Sequence, residues 1–468
     1  MRGRQGLHAG QPRGRRQRAA RRSARLGGGL GAATLLLLLG CTAAHEPDIA
    51  VDAPPDLRHR SPSDGGSGPS CHGRACQLPV CAPGTTTEIV GTLYAGNGTD
   101  PVPGAAVFVP VYDLPELPPT LGCNLCNDVP FSVASTFTDF DGSFHLSGVP
   151  SGTIPVVARL GRFQRVVSMD VIPCARNVIP ADPDTSNKGI RLPRKNGELA
   201  SQDALPRIAV ASGDYDQIEC VLKRIGVDQL DMYDDRFVNN PPAIGQFAAL
   251  LADPKKLALY DIVIVNCTDN QFLSSLLQPT VQDTLESYVR SGGRLYVTDW
   301  AYDVIEQVPA FAPYLCFEPQ SPAGAPMCGG GPQTHSIADS TDPYSGKSKI
   351  LDADMAKWLH QFSGVIDGSD QVAVDYSFVV VSSASQDPAT LTKTWVQGPT
   401  PFGTRPQTVT FDYHGCGRVH FSTYNTEPAG VVDDSARWPN NCKTTVSPQE
   451  RLLEYLFFNI AACLPTPG

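Results

Sequence analysis

The chain has 468 residues, with 37 Lys and Arg against 47 Asp and Glu, a net charge of −10. Residues 1–40 hold nine Arg and no acid, so the rest carries 28 cations against 47 acids, a net of −19. An acidic chain without a long Lys/Arg cluster repels phosphate backbones, which excludes nucleic acid as a partner and leaves no basic patch for anionic lipid headgroups.

The first 40 residues read as an export signal: a basic head, then an apolar stretch from Leu30 to Leu39 that is too short to span a bilayer as a stable anchor. The segment Leu38-Leu39-Gly40-Cys41 resembles a bacterial lipobox, which implies cleavage before Cys41 and lipid on its sulfur. The alternative is an ordinary cleaved signal with an incidental cysteine. Thr42 rather than Asp follows Cys41, and by the habit of that family this implies the outer membrane or cell surface. The Arg21-Arg22 pair leaves twin-arginine export open. Membrane attachment would then come from the lipid alone, with partners among envelope proteins or glycans left open.

Residues 41–83 are rich in Pro, Gly, Ser and Asp and nearly free of β-branched and aromatic residues. Such a stretch buries too little apolar area to offset its ordering entropy, so it reads as a disordered tether, stapled near its end by Cys71, Cys76 and Cys81.

Residues 84–195 change to short alternating runs separated by turn residues. Strands are expected over Glu88 to Tyr94, Gly104 to Val109, Ser132 to Thr138, Ser143 to Leu146, Thr153 to Leu160, Arg165 to Ile172 and Gly189 to Leu192. Seven such strands without a helical period predict an all-β sandwich. The runs Val90-Gly91-Thr92, Pro103-Gly104-Ala105-Ala106-Val107, Thr138-Asp139-Phe140-Asp141-Gly142-Ser143-Phe144 and Gly148-Val149-Pro150-Ser151-Gly152 resemble the carboxypeptidase regulatory-like domain, a transthyretin-like module. Gly142 and Gly152 fall at turns where positive φ is easy. The resemblance implies a fold and no chemistry, and the chain has no His-x-x-Glu zinc motif.

From about residue 205 to 465 the pattern predicts an α/β domain with a mainly parallel sheet. Strands are expected at Arg207 to Ala211, Leu230 to Tyr233, Tyr260 to Cys267 and Arg294 to Thr298. Helices are expected over Asp216 to Ile225, with Ile218, Val221, Leu222 and Ile225 on one face, and over Thr280 to Ser291, closed by Gly292-Gly293. The Gly-, Pro- and Ser-rich segment at about 305–355, holding Cys316 and Cys328, reads as an insertion closed by its own disulfide. A C-terminal β-hairpin, Thr408 to Tyr413 and Arg418 to Tyr424, precedes a helix from Pro448 to Phe458 capped by Ser447.

The order of Tyr260-Asp261 with its apolar strand, a helix, then Tyr288-Val289 and Gly292-Gly293 with the next strand resembles the class I glutamine amidotransferase-like superfamily. Residues 71 to 464 as a whole resemble a group of secreted or lipid-anchored proteins of myxobacteria that join a regulatory-like module to such a domain. That superfamily's chemistry needs a strand turning sharply into a helix with a Cys or Ser at the apex. Thr298-Asp299-Trp300-Ala301-Tyr302 stands there instead, with Trp300 expected at the nucleophile's place. The domain's histidines, His335, His360, His414 and His420, form no Cys/His/Glu pattern. The amidotransferase chemistry is not carried over, and no catalytic residue is assigned.

Thirteen cysteines remain beyond Cys41, and in an oxidising compartment most should pair. Cys123 and Cys126 read as a structural disulfide, as do Cys316–Cys328 and Cys220–Cys267; a reactive thiol at Cys267 is the alternative to the last pair. The odd number requires at least one free or intermolecular thiol. Asp214, Asp269 and Asp299 each follow a parallel strand, at the edge where open α/β sheets bind ligands. Three carboxylates converging there could hold a divalent cation; otherwise they cap helices and make turns. No other cofactor is expected. Two functions follow: a lipid-anchored envelope protein with a non-catalytic binding or structural role, or a hydrolase or transferase with an atypical site at that edge.

Overall fold

Alternation of apolar side chains along short strands buries one face of each, and two such sheets can share a core. The computed structural model describes residues 71–461 apart from 120, 123–128, 130, 187, 214, 235–242, 268–272, 319–343, 427–437, 439, 441 and 443–444. Cys41, Cys123, Cys126, Cys328, Asp214, Asp269 and His335 lie outside the described residues. The first region forms eight strands: β1 (Glu88–Tyr94), β2 (Ala106–Pro110), β3 (Ser132–Phe137), β4 (Ser143–Ser147), β5 (Gly152–Leu160), β6 (Phe163–Val171), β7 (Arg176–Val178) and β8 (Ile190–Arg191). One four-stranded sheet runs β4-β1-β7 with β8 also on β1, and the other runs β3-β2-β5-β6. Ile89, Leu93, Phe144 and Leu146 of the first sheet share a cluster with Val107, Val109, Ile154 and Val156 of the second. Gly142, at φ +73°, is required at its turn, because a Cβ there would meet the Leu93 carbonyl oxygen at 2.4 Å.

The second region contributes β9 (Ile208–Ala211), β10 (Asp231–Tyr233), β11 (Ile262–Val265), β12 (Arg294–Thr298), β13 (Leu315–Phe317), β14 (Tyr344–Ile350), β15 (Gln371–Ser377), β16 (Val381–Ala384), β17 (Lys393–Thr400), β18 (Gly403–Tyr413) and β19 (Gly417–Ser422). Its helices are α1 (Ile218–Arg224), α2 (Phe247–Leu251), α3 (Pro254–Leu257), α4 (Leu273–Leu276), α5 (Pro279–Arg290), α6 (Asp303–Glu306), α7 (Ala353–Leu359) and α8 (Pro448–Ala461). Nine strands make one sheet in the order β10-β9-β11-β12-β19-β18-β17-β14-β15. The first five are parallel neighbours and the remaining pairings are antiparallel. The sheet is therefore mixed, where the sequence predicts a mainly parallel one. β14 also corrects the insertion boundary, since residues 344–350 are a strand of this sheet. Among the described strands of this region, β13 and β16 lie outside the main sheet and form a separate antiparallel pair.

Each parallel strand is buried on both faces. Ile208, Val210, Ile262, Ile264 and Tyr296 face a cluster with α1, α7 and α8, while Ala209, Ala211, Val263, Val265, Leu295 and Val297 face one with α2, α5 and α6. The expected face of α1 is buried, and Val281, Leu285, Tyr288 and Val289 bury one stripe of α5 before Gly292 at φ +101°. The cluster on the α8 side is continuous with the core of the first region, and residues 69–468 form one compact unit. Phe163 meets Phe457 edge-on at 6.1 Å between centroids, and the Trp358 indole N–H donates to the Pro101 carbonyl at 2.8 Å.

Candidate functional site

The carboxyl ends of β9, β11, β12 and β19 gather the polar residues that the sequence places at strand ends. β12 stops at Thr298, and Asp299 then takes φ +40° before one turn of 3-10 helix leads into α6. A residue other than Gly at positive φ is uncommon, and a sharp strand-to-helix turn of this kind is where a nucleophile elbow would stand. The apex is Asp299. This corrects the expectation for Trp300, which follows the apex, is only partly buried and meets Tyr215 and Phe378 edge-on at 5.8 Å each.

Asp299 is fully buried. Its Oδ1 accepts from the Val379 N–H at 3.1 Å and the Phe378 N–H at 3.4 Å, and its Oδ2 accepts from the Cys267 thiol at 3.8 Å. Burial is the main cause that pushes its carboxyl well above the ordinary range; the two backbone donors oppose this and the nearby Asp216 adds to it. Cys267 follows β11, where Gly213 allows close approach: a Cβ on Gly213 would meet the Cys267 carbonyl oxygen at 2.3 Å. Burial, then the charge of Asp299, pushes the Cys267 thiol well up, so it carries its proton at neutral pH and is a poor nucleophile.

Asp216 lies beside this pair and is also fully buried. Its Oδ2 accepts from the Thr298 hydroxyl at 2.6 Å, and its Oδ1 accepts from the Thr426 hydroxyl at 2.6 Å and from the Thr426 and Gln217 N–H groups at 2.9 Å each. These four donors oppose the larger effect of burial, which raises its pKa. Asn266 ties β11 to α1, its amide donating to Glu219 at 2.8 Å. Asp303 opens α6 and accepts from the Gln307 amide at 3.2 Å. Thr298, Thr426 and the Phe378-Val379 backbone were not legible as parts of this network. Thr426 lies 210 residues from Asp216 in the chain, and no local pattern links them.

Among the described residues no histidine serves this edge. His420 pairs in register with Tyr296, its ring edge-on at 4.2 Å, and neither of its nitrogens has a hydrogen-bond partner. Burial holds it down at about 3, so it stays neutral. His360 binds Asp370 at 2.9 Å on the surface, and His414 sits at positive φ in the β18–β19 turn. Among the described residues no group of three or more His, Cys, Asp or Glu is arranged to hold a metal ion. Of the three expected carboxylates only Asp299 is described, and protein donors already engage both of its oxygens.

The disulfides also differ from expectation. Cys220 pairs with Cys442, with Cα atoms 5.2 Å apart, and Cys267 is a free buried thiol. The reason is direction: the Cys267 sulfur points across the sheet edge to Asp299, not at α1. Cys71–Cys76 and Cys81–Cys174 are the other described pairs; the latter ties the end of the expected tether to the turn between β6 and β7. Cys316 and Cys416 are each disulfide-bonded.

No family model and no curated protein matches this chain. Among solved structures it is similar to a ThuA-like protein from Bacteroides uniformis, at 12% identity and a TM-score of 0.31, covering 54% of this chain and 89% of that one. A ThuA-like protein from Parabacteroides merdae gives 13%, 0.29, 56% and 91%. The glutaminase domain of a Trypanosoma brucei CTPS, with bound acivicin, gives 11%, 0.31, 55% and 93%. These likenesses assign no activity or ligand to this chain. Its α/β character stands on the sheet order itself.

Proposed function

We propose that this chain is a lipid-anchored envelope protein in which a transthyretin-like sandwich and an amidotransferase-like α/β domain serve a non-catalytic binding or structural role. The observation that carries the reading is the closed apex at Asp299. A nucleophile must present a free, activatable atom to a substrate beside a base. Asp299 is buried, and its oxygens accept from Val379, Phe378 and Cys267. The Cys267 thiol beside it is held protonated, and His420 makes no hydrogen bond that would let it act on either group. The carboxyl instead fastens the segment after β15 to the end of β12.

The positive φ at Asp299 favours the second reading, a hydrolase or transferase, because strain stored at a turn accompanies active sites. Two measurements separate the readings. Glutaminase, esterase and glycan-hydrolysis assays of the full chain should stay at background; turnover that disappears in Asp299→Asn would establish the second. In a Gram-negative host the wild type should incorporate a palmitate analogue and sediment with membranes, and Cys41→Ala should lose both properties. Unlabelled wild type in the soluble periplasm would remove the lipid anchor from the proposal.

A further inference from the structure

A cavity of about 250 Å³ lies where the loop between β3 and β4 meets α7 and α8, lined by Thr138, Asp139, Phe140, Asp354, Tyr455 and Asn459 among others. It shares no residue with the Asp299 edge, so its ligand and the reading of that edge are tested separately. The loop is fixed by its own hydrogen bonds. The Thr138 hydroxyl donates to the Val102 carbonyl at 2.7 Å and accepts from the Ala105 N–H at 2.9 Å, and the Asp139 N–H donates to the Ser143 carbonyl at 2.9 Å. Asp139 Oδ1 accepts from the Phe140 N–H at 2.8 Å, and Asp354 Oδ1 accepts from Lys357 at 2.9 Å. Both carboxylates are exposed, and each keeps Oδ2 as an open acceptor.

α8 supplies donors. Arg418 holds Asn459 Oδ1 at 2.7 Å, so the amide turns its NH2 group the other way. Tyr455 is only 7% exposed, yet among the described residues its hydroxyl has no hydrogen-bond partner, and it is not one of the polar atoms sealed from solvent. Burial, then the charges of Asp352 and Asp354, raise its pKa, so it stays a donor. A largely buried hydroxyl without a partner is unfavourable, and a ligand that bonds to it recovers free energy. The mix of groups selects the ligand: a cation uses only the carboxylates and an anion only the donors. A hydroxyl group both donates and accepts, so adjacent hydroxyls serve both kinds, while the C–H face of a sugar ring packs on the partly buried Phe140. We propose that this cavity binds one pyranose ring, either a free sugar or the end of a glycan. Its volume is small for a ligand pocket and suits a single ring.

Saturation-transfer NMR on the full chain, in a detergent without a sugar headgroup, tests this with the methyl pyranosides of glucose, galactose, mannose and N-acetylglucosamine. At least one should bind saturably, in the millimolar range expected of so small a ligand. Its fully O-methylated form keeps the ring and has no hydroxyl donor, so it should bind at least about tenfold more weakly. A disaccharide ending in the same ring distinguishes the sources: affinity is kept if the cavity takes the end of a glycan and lost if it takes only a free sugar. Tyr455→Phe removes just the hydroxyl and should weaken the bound pyranoside about fivefold while leaving the thermal midpoint unchanged, which a merely structural role does not explain. Asp139→Ala removes a charged acceptor and should weaken it about tenfold. Absence of saturable binding for every pyranoside at tens of millimolar, equal binding of the O-methylated form, or binding unchanged in both variants overturns the proposal.

Discussion

Replacing Trp358 tests whether the two regions truly share a core. The side chain is fully buried on α7 and packs against Phe362, Tyr455 and Phe458, with ring centroids at 4.7, 5.5 and 6.3 Å. Its indole N–H donates at 2.8 Å to the carbonyl of Pro101, in the turn after β1. Trp358→Ala removes the ring and leaves a cavity, which costs about 3–5 kcal/mol. It also leaves the Pro101 carbonyl without its donor, about 1 kcal/mol more. The expected loss is therefore about 4–6 kcal/mol, toward the upper end for a single substitution. Trp358→Phe keeps most of the packing and loses the hydrogen bond, so it should cost about 1–2 kcal/mol. Urea unfolding of the oxidised full chain, followed by far-UV circular dichroism, gives both values. A loss below about 1 kcal/mol for the alanine variant would mean that the β1 turn does not pack on α7, and the reasoning fails.

Asp299 takes up a proton on folding because burial raises its pKa, so its contribution to stability falls as pH rises above the ordinary Asp value near 4, by up to about 1.4 kcal/mol per pH unit. Asp299→Asn should match the wild type near pH 4 and exceed it at pH 7; superimposable stability curves from pH 4 to 8 would refute this. Non-reducing peptide mapping should recover Cys220 linked to Cys442, and Cys267 should resist alkylation until the chain unfolds. Cys442→Ser opens a loop spanning 222 residues and should cost about 5 kcal/mol in the chain-entropy model. Trp300→Ala should cost only about 1–2 kcal/mol in a melt, because that ring is partly exposed with two edge contacts; a larger loss would place it in the core.

Local pattern alone determined much of this chain. The apolar runs at Ile208–Ala211, Ile262–Val265 and Arg294–Thr298 are strands because two buried faces leave no polar alternation to misread, and α5 shows one apolar stripe ended by Gly292. The alternating runs from Glu88 onward, and glycines such as Gly142, were legible for the same local reasons. Strands β14, β15 and β17 were not, since they are half exposed and carry mixed side chains whose burial comes only from their neighbours in the sheet. The Asp299 edge divides in the same way. Its Asp, Thr and Cys could be placed at strand ends from the sequence, but which atoms meet was decided by the tertiary fold. Thr426 reaches Asp216 across 210 residues, Val379 reaches Asp299 across 80, and Cys220 pairs with Cys442. A hydrogen bond or a disulfide needs a distance and a direction, and for residues so far apart in the chain only the packed sheets and helices supply either.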